Sequence, residues 1–213
     1  MHIRVLVGTA LILTIIGLWV NWSNQPPSAP SSLLLPQLDI DASVASDFEG
    51  LAKETWGDFL DKFQARSDCF GNVRLIASYD LDSKAVYNPE QATVTVRVPG
   101  SPAQLKSALV HEWAHHIEFQ CAELEELQLA FREVLEIHPD TPWHSSNTLN
   151  DISMRAWKEI PSEQFAETTV VFVLGRGHIP SQIRVNNAAV HVIAEWAAGG
   201  KSMVSTMEKA RGE

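Results

Sequence analysis

The run His-Glu-Trp-Ala-His-His at residues 111–116 is the part of the chain whose residue types and spacing could do metal chemistry. On a helix with about 3.6 residues per turn, His111 and His115 lie about 40° apart on one face, one turn above the other. Two imidazoles in this arrangement match the bite that a tetrahedral zinc ion requires. Glu112 lies roughly 100° further round, close enough to contact a water on the metal without being a ligand. The pattern therefore predicts a hydrolytic zinc site with Glu112 as its base.

The residues around this pattern are mostly apolar. A helical wheel of residues 102–120 leaves one clearly polar stripe, formed by Lys106, His116 and Gln120. His111, Glu112 and His115 fall outside that stripe, among apolar side chains. Because an unpaired buried charge costs several kcal/mol, these residues need a partner inside the fold, and a divalent cation is the simplest one. The alternative is a helix with hydrogen-bonded core histidines and no metal. His116 is expected to be solvated.

A third ligand is expected from residues 161–167, Pro-Ser-Glu-Gln-Phe-Ala-Glu, because catalytic zinc usually keeps three protein ligands and one open position. Pro161 suits the first turn of a helix, in which Glu163 and Glu167 share one face. Two carboxylates on one face repel each other unless a positive charge lies nearby. The economical arrangement has Glu163 on zinc and Glu167 accepting the free N–H of a zinc-bound imidazole. The alternative is an exposed acidic face, against which the apolar run that follows argues.

With these two motifs the chain resembles the gluzincin branch of the zincin metallopeptidases, which carry H-E-x-x-H on one helix and a Glu ligand on a later one. The segment Glu163-Gln164-Phe165-Ala166-Glu167 is particularly similar to the E-F-F-A-E segment of the anthrax lethal factor catalytic domain and the clostridial Pro-Pro endopeptidases. The resemblance covers roughly residues 86–175, and the two motif helices carry it. It implies that Glu163 is the ligand and that Glu167 supports a ligand. Those enzymes stabilise the oxyanion with a Tyr that precedes the ligand Glu, whereas this chain has Ala156 there.

The expected activity is peptide hydrolysis outside the cytoplasm. Zinc is expected on three ligands: His111, His115 and Glu163. It would lower the pKa of its water to about 7 and polarise the scissile carbonyl. Glu112 would take the proton and return it to the leaving amine. Arg155 and His144, the latter in the loop of residues 138–150, are the candidates for stabilising the oxyanion. The expected partner is a peptide or protein substrate.

Two other functions stay open at this point. The domain could be a degenerate zincin that binds a partner in the cell envelope without turnover, which the absent Tyr leaves possible and the intact Glu112 weighs against. Alternatively, the metal could be structural and the protein an anchored envelope component. A site of two His and one Glu with an adjacent Glu resembles the open catalytic set more than the closed, cysteine-rich structural sites.

The elements that must position these residues follow an α+β order. Helical spacing of apolar residues predicts a first helix over residues 48–63, and Val73–Tyr79 and Ala92–Val98 read as strands joined through a turn at residues 87–89. Further helices are expected near residues 102–120, 122–137, 161–174 and 184–198. The expected fold is zincin-like: a small mixed or antiparallel sheet, an edge strand beside the H-E-x-x-H helix and a helical C-terminal part. In zincins that edge strand pairs with extended substrate.

The N-terminus predicts export. Arg4 precedes a long apolar stretch, and the next charged residue is Asp39. As a helix, residues 5–22 would be about 27 Å long, marginally enough to span a bilayer. No good cleavage site follows, which favours an uncleaved membrane anchor and an external domain over secretion after signal-peptide cleavage. The expected segments are residues 1–22 as anchor or signal sequence, 23–39 as a Pro/Ser-rich linker and 40–213 as the zincin-like domain.

Composition and cysteine content agree with such a domain. A hydrophobic content of 45% supports a globular core, and a net charge of -10 without a basic stripe excludes a nucleic-acid partner. Cys69 and Cys121 are the two cysteines of the chain. In an exported protein an even number usually pairs, so a disulfide is expected between the end of the motif helix and the segment before the first strand. The alternatives are two free thiols or a thiolate on zinc.

Overall fold

The computed structural model describes residues 35–144, 154–177 and 183–200. Within these residues the fold is α+β, with a small mixed sheet and a set of helices, as expected. The folded unit begins at Leu35, and its first strand, Leu38–Ile40, lies at the end of the segment that composition assigns to the linker. No helix in the described ranges is both long and apolar enough to cross a membrane. The expected anchor, residues 1–22, lies outside these ranges.

The sheet has four strands in the order β1-β2-β4-β3. Their bounds are Leu38–Ile40 (β1), Val73–Ser78 (β2), Ala85–Asn88 (β3) and Thr93–Arg97 (β4). β1 and β4 both run parallel to β2, whereas β3 pairs antiparallel with β4, joining Tyr87 to Val94. Val94 and Val96 are fully buried, which explains why the valines of β4 alternate with polar residues.

One expectation about this sheet is wrong. The turn expected at residues 87–89 lies later, because Tyr87 and Asn88 still belong to β3. The side-chain oxygen of Asn88 accepts the backbone N–H groups of Glu90 and Gln91, at 3.0 and 3.2 Å, which starts the turn only after that residue. The strand that directly precedes the motif helix, β4, lies inside the sheet, whose two edges are β1 and β3. Of these, β3 packs against the motif helix, so an edge strand does lie beside that helix.

The five expected helices lie within about three residues of their expected bounds, and the single turn at residues 154–157 was not expected. The helices are α1 (Ser46–Lys62), α2 (Pro102–Gln120), α3 (Leu124–Val134), the single turn α4 (Met154–Trp157), α5 (Pro161–Leu174) and α6 (Asn187–Ala197). α2 begins with a capping box between Ser101 and Gln104, and Pro102 follows at its first position. α5 also begins with a proline and ends at Gly175, whose φ of 75° ends the helix in the left-handed conformation.

The core holds α2 in place from several sides. α2 packs against α1, α5 and the strands β3 and β4. Aromatic rings fill the space between α1 and α2: Trp113 on α2 contacts Trp56 and Phe59 on α1, with centroids 4.8 and 5.5 Å apart. Because the motif helix is surrounded in this way, its side chains are fixed by packing rather than by helix propensity.

A disulfide between Cys69 and Cys121 confirms the expected pairing. Cys121 is the residue that ends α2, and its backbone N–H still bonds to the carbonyl of Ile117. Cys69 lies shortly before β2, after a short 3-10 helix of residues 64–66. The bridge therefore ties the C-terminal end of the motif helix to the beginning of the sheet.

Candidate metal centre

The two motif helices bring the three expected metal ligands together. His111 and His115 come from the middle of α2, and Glu163 comes from the first turn of α5, which packs against α2. One ligand atom of each residue lies within 4.8 Å of the other two, so the three residues are close enough to hold a metal ion. The fold thus joins two motifs that are far apart in the sequence.

The ligand atoms point to a common centre. His111 Nε2 lies 3.1 Å from Glu163 Oε2, and His115 Nε2 lies 3.3 Å from His111 Nε2. The remaining edge, from His115 Nε2 to Glu163 Oε2, is 3.8 Å long. Ligand atoms about 2.1 Å from a tetrahedral ion are about 3.4 Å apart, so this triangle has the size that such an ion needs.

Each imidazole also has a carboxylate behind it. His111 Nδ1 lies 3.1 Å from Glu167 Oε1, the contact expected from the i and i+4 spacing of Glu163 and Glu167. His115 Nδ1 lies 2.7 Å from Glu118 Oε2. A carboxylate that accepts Nδ1–H leaves Nε2 with its lone pair toward the centre and makes it a better metal ligand. Both histidines are therefore prepared to bind through Nε2.

Glu118 was missed by the sequence reasoning, although a signal for it exists. It lies three residues after His115, so helix geometry places the two side chains on the same face. Its carboxylate also accepts the indole N–H of Trp143 at 3.0 Å. Glu118 contacts a candidate ligand rather than the metal position, so a pattern of metal-ligand residues does not include it.

The charges of the cluster favour a cation. Four carboxylates surround the two imidazoles and are all buried: Glu112, Glu118, Glu163 and Glu167. Burial acts to lower the pKa of His111, but hydrogen bonds to two of these carboxylates outweigh it and raise that pKa to about 9. Burial likewise opposes protonation of His115, and the charge of Glu118 overcomes it and raises the pKa well above its ordinary value. Without a metal, protons supply the positive charge that the carboxylates require.

The ligand carboxylate responds in the opposite direction. Burial acts to raise the pKa of Glu163, but the hydrogen bonds from His111 and His115 hold it far below its usual range. Glu163 therefore stays ionised, as a metal ligand must be. The donor set, two imidazoles and one carboxylate with further carboxylates behind the imidazoles, fits a divalent metal ion.

Glu112 differs from the other carboxylates. Its side chain is buried, and burial is the largest cause that raises its pKa above the ordinary value. The two motif histidines and the backbone N–H of Tyr87, in edge strand β3, act against part of that rise. A raised pKa makes a carboxylate a stronger base, and the position of Glu112 places this base between the ligand cluster and β3.

The two candidates for oxyanion stabilisation have different outcomes. His144 stacks on Phe119, with centroids 4.7 Å apart, and its Nε2 lies 3.5 Å from Glu118 Oε2. It therefore faces the carboxylate behind His115. Arg155 belongs to α4, but its side chain lies outside the described part of the chain. In the same helix, Trp157 faces the ring of His111, with centroids 6.2 Å apart and ring planes at 16°.

The expectation that His116 is solvated is wrong. Its side chain is fully buried. His116 Nδ1 lies 2.9 Å from the hydroxyl of Tyr87, and its Nε2 lies 3.0 Å from the carbonyl oxygen of Gly71. Burial lowers the pKa of His116, so it is neutral and bridges edge strand β3 to the segment before β2.

Compared with protein-family models, with curated proteins and with solved structures, the chain shows no significant match. The interpretation of the site therefore depends on its own geometry and charge.

Proposed function

We propose that this chain is a zinc-dependent metallopeptidase that hydrolyses peptide bonds outside the cytoplasm. The observation that carries the proposal is the convergence of His111 Nε2, His115 Nε2 and Glu163 Oε2 on one point, with the buried carboxylate of Glu112 beside them. Three ligands leave a fourth position for water or substrate, which distinguishes catalytic from structural zinc sites. Imidazole and carboxylate ligands together suit zinc.

Within this proposal each residue of the chain has a defined task. Zinc supplies Lewis acidity, which activates a water molecule and polarises the substrate carbonyl. Glu112 accepts the proton of that water and returns it to the leaving amine, a contribution of typically 10² to 10⁴ in rate. Glu167 and Glu118 hold His111 and His115 in the binding tautomer. Arg155 and His144 remain the candidates for the oxyanion.

The edge strand supports a peptide as substrate. β3 pairs with β4 on one side, and its other side has no strand partner in the described ranges. An extended peptide can add to such an edge through main-chain hydrogen bonds, which demand little of its sequence. The contact between the Tyr87 N–H and Glu112 brings this edge next to the catalytic base. A peptide bound along β3 would then cross the metal centre.

The proposed location outside the cytoplasm has independent support from the disulfide. Bridges such as Cys69–Cys121 persist in oxidising compartments and are rare in the cytosol. An N-terminal membrane anchor over residues 1–22 would place the domain there, and secretion after cleavage of that segment is the alternative.

One observation favours a second candidate, a non-catalytic binding protein of the cell envelope. The enzymes that the motifs resemble use a Tyr for the oxyanion, and this chain has Ala156 at that position. The hydroxyl of Tyr87 is already bonded to His116 and receives the side-chain N–H of Gln120, at 2.9 and 3.3 Å. Tyr79, the other tyrosine of the chain, is 79% exposed to solvent rather than buried with the candidate ligands. Binding along the edge strand would still be possible without turnover.

Metal analysis together with peptide cleavage separates these functions. We expect one equivalent of zinc in the purified wild-type protein and in Glu112→Gln, because Glu112 is not a ligand. Wild type should cleave members of a peptide library, whereas Glu112→Gln should lose nearly all turnover, since an amide cannot accept the proton. Glu126→Gln, which changes an exposed carboxylate on α3, is the matched control and should cleave like wild type.

Two results would count against the enzyme. Wild type that binds zinc and peptides without cleaving them would be the binding protein. Equal cleavage by wild type and Glu112→Gln would mean that the activity is a contaminant or that Glu112 has another role.

A further inference from the structure

Trp143 contacts both helices that carry the metal ligands. Its indole N–H donates to Glu118 Oε1 on α2 at 3.0 Å. Its backbone carbonyl accepts the N–H of Ser162 on α5 at 3.1 Å, one residue before the ligand Glu163. One residue outside the two ligand helices thus joins them through two hydrogen bonds.

The carboxylate of Glu118 divides its two oxygens between different donors. Oε2 faces His115 Nδ1 at 2.7 Å and His144 Nε2 at 3.5 Å, while Oε1 faces the indole N–H of Trp143. The side chain of Glu118 is 0% exposed, so water does not replace either partner. A buried carboxylate with a donor on each oxygen cannot rotate about its last bond without losing a hydrogen bond. Its orientation, and that of His115, is therefore fixed.

Trp143 is itself held firmly. Its ring packs against Phe131 on α3 and Phe165 on α5, with centroids 6.0 and 6.1 Å apart. The guanidinium of Arg132 lies 5.4 Å from the ring centre and also donates to the carbonyl of Thr141 at 2.8 Å. These contacts fix both the ring and the backbone of the segment that ends at Trp143.

We infer that Trp143 and Glu118 are positioning residues for the metal centre. Trp143 orients Glu118, Glu118 orients the imidazole of His115, and the Trp143 carbonyl sets the start of the helix that presents Glu163. This inference rests on metal binding at the proposed site and is independent of whether the bound metal catalyses hydrolysis. It assigns a role to a loop tryptophan that has no contact with the ligand atoms themselves.

Zinc affinity of Trp143→Phe, measured by competition with a chromophoric chelator, tests the inference. Phenylalanine keeps an aromatic ring but removes the N–H that holds Glu118. We expect the affinity for zinc to fall about 10- to 100-fold, the range found when a residue that supports a metal ligand is changed. Trp196→Phe is the matched control, because Trp196 is also buried and its indole N–H has no hydrogen-bond partner among the described residues. Its zinc affinity should equal that of wild type.

Glu118→Gln provides a second variant that keeps the size of the side chain. An amide has one acceptor oxygen, so it can serve His115 or Trp143 but not both, and its NH₂ group must face the other donor. Zinc affinity should fall in Glu118→Gln. In the double variant Glu118→Gln/Trp143→Phe the conflicting indole donor is gone, so the second substitution should cost less than threefold. Two independent structural effects would instead multiply.

The results separate the possible failures. Equal zinc affinity in Trp143→Phe and wild type, or multiplying losses in the double variant, would overturn the positioning role. The same conclusion would follow if Trp196→Phe lost as much affinity as Trp143→Phe. Wild type that binds no zinc would overturn the proposed function together with this inference. Zinc binding that shows the expected coupling, without any peptide cleavage, would overturn the peptidase alone.

Discussion

Removal of the disulfide should destabilise the domain by an amount that depends on the length of the loop that the bridge closes. Cys69 and Cys121 are separated by 52 residues. Closing a loop of that length removes chain entropy from the unfolded state and stabilises the fold by about 4 kcal/mol in the chain-entropy model. For a domain in the size range of about 150–250 residues, each kcal/mol corresponds to roughly 2–4 °C in melting temperature. We therefore expect the bridge to raise the melting temperature by about 8–16 °C.

Alanine variants at the two cysteines give the cleanest measurement. Cys121 is buried, so a serine there would add the cost of burying a hydroxyl group, which alanine avoids. Either single substitution already breaks the bridge. Cys69→Ala, Cys121→Ala and the double variant should therefore lose nearly the same free energy of unfolding, measured by urea denaturation. Wild type should resist alkylation of its thiols until it is denatured and reduced.

The same perturbation should be felt in the motif helix. Cys121 ends α2 three residues after Glu118 and six residues after His115, so loss of the bridge frees that end to fray. Relative to wild type, loss of the bridge should accelerate amide hydrogen exchange more in the last turn of α2 than in its first turn. Losses that add in the double variant, a total loss below about 1 kcal/mol, or free thiols in protein taken from its native compartment would refute this reasoning.

Three further outcomes are expected. Glu163→Ala should lower zinc affinity by orders of magnitude in chelator competition because it leaves two protein ligands, and full zinc occupancy would remove Glu163 from the site. Zinc binding at pH 7 should release about two protons, measurable by calorimetry in buffers of different ionisation enthalpy. The reason is that the metal-free pKa of His111 is raised to about 9 and that of His115 is raised well above its ordinary value. Apparent zinc affinity should therefore rise as the pH rises towards the pKa values of these two histidines, because protons cease to compete with zinc. An affinity that does not change with pH would contradict this prediction. Tyr87→Phe should destabilise the fold by about 1–3 kcal/mol in urea denaturation, since it removes the hydroxyl that partners the buried His116, whereas unchanged stability would mean that this bond contributes nothing.

The metal cluster could be predicted from sequence because most of its geometry is local. His111 and His115 share a helix face at any point in a fold, and Glu163 and Glu167 do the same on α5. The sequence pattern alone does not show that the two helices lie side by side. That contact was predicted because a catalytic zinc ion usually has three protein ligands, and the first helix supplies two. The contact of Glu118 with His115 is equally local, but its partner is a candidate ligand rather than the metal, so the pattern of metal ligands does not predict it.

The features that sequence reasoning missed depend on contacts between distant segments. A helical wheel assumes one buried face, but α2 is covered by α1, α5 and two strands, so even its polar stripe is partly inside. His116 is covered by two segments distant in the sequence, and its ring nitrogens contact the Tyr87 hydroxyl and the Gly71 carbonyl oxygen. β3 has four residues, too few for a period of two to stand out, and its pairing with β4 alone defines it.

The ring of Trp157 provides a fluorescence signal next to the candidate metal centre. It faces His111 with nearly parallel planes, so the indole lies next to a group whose charge depends on whether a proton or a metal is bound. Its fluorescence should change when the proton on His111 is replaced, and this change adds to the signals of the other six of the 7 tryptophans. Comparison with Trp157→Phe would isolate that signal. Trp157 is thus an intrinsic fluorophore beside one proposed ligand, and its signal can test for metal binding in real time without any label.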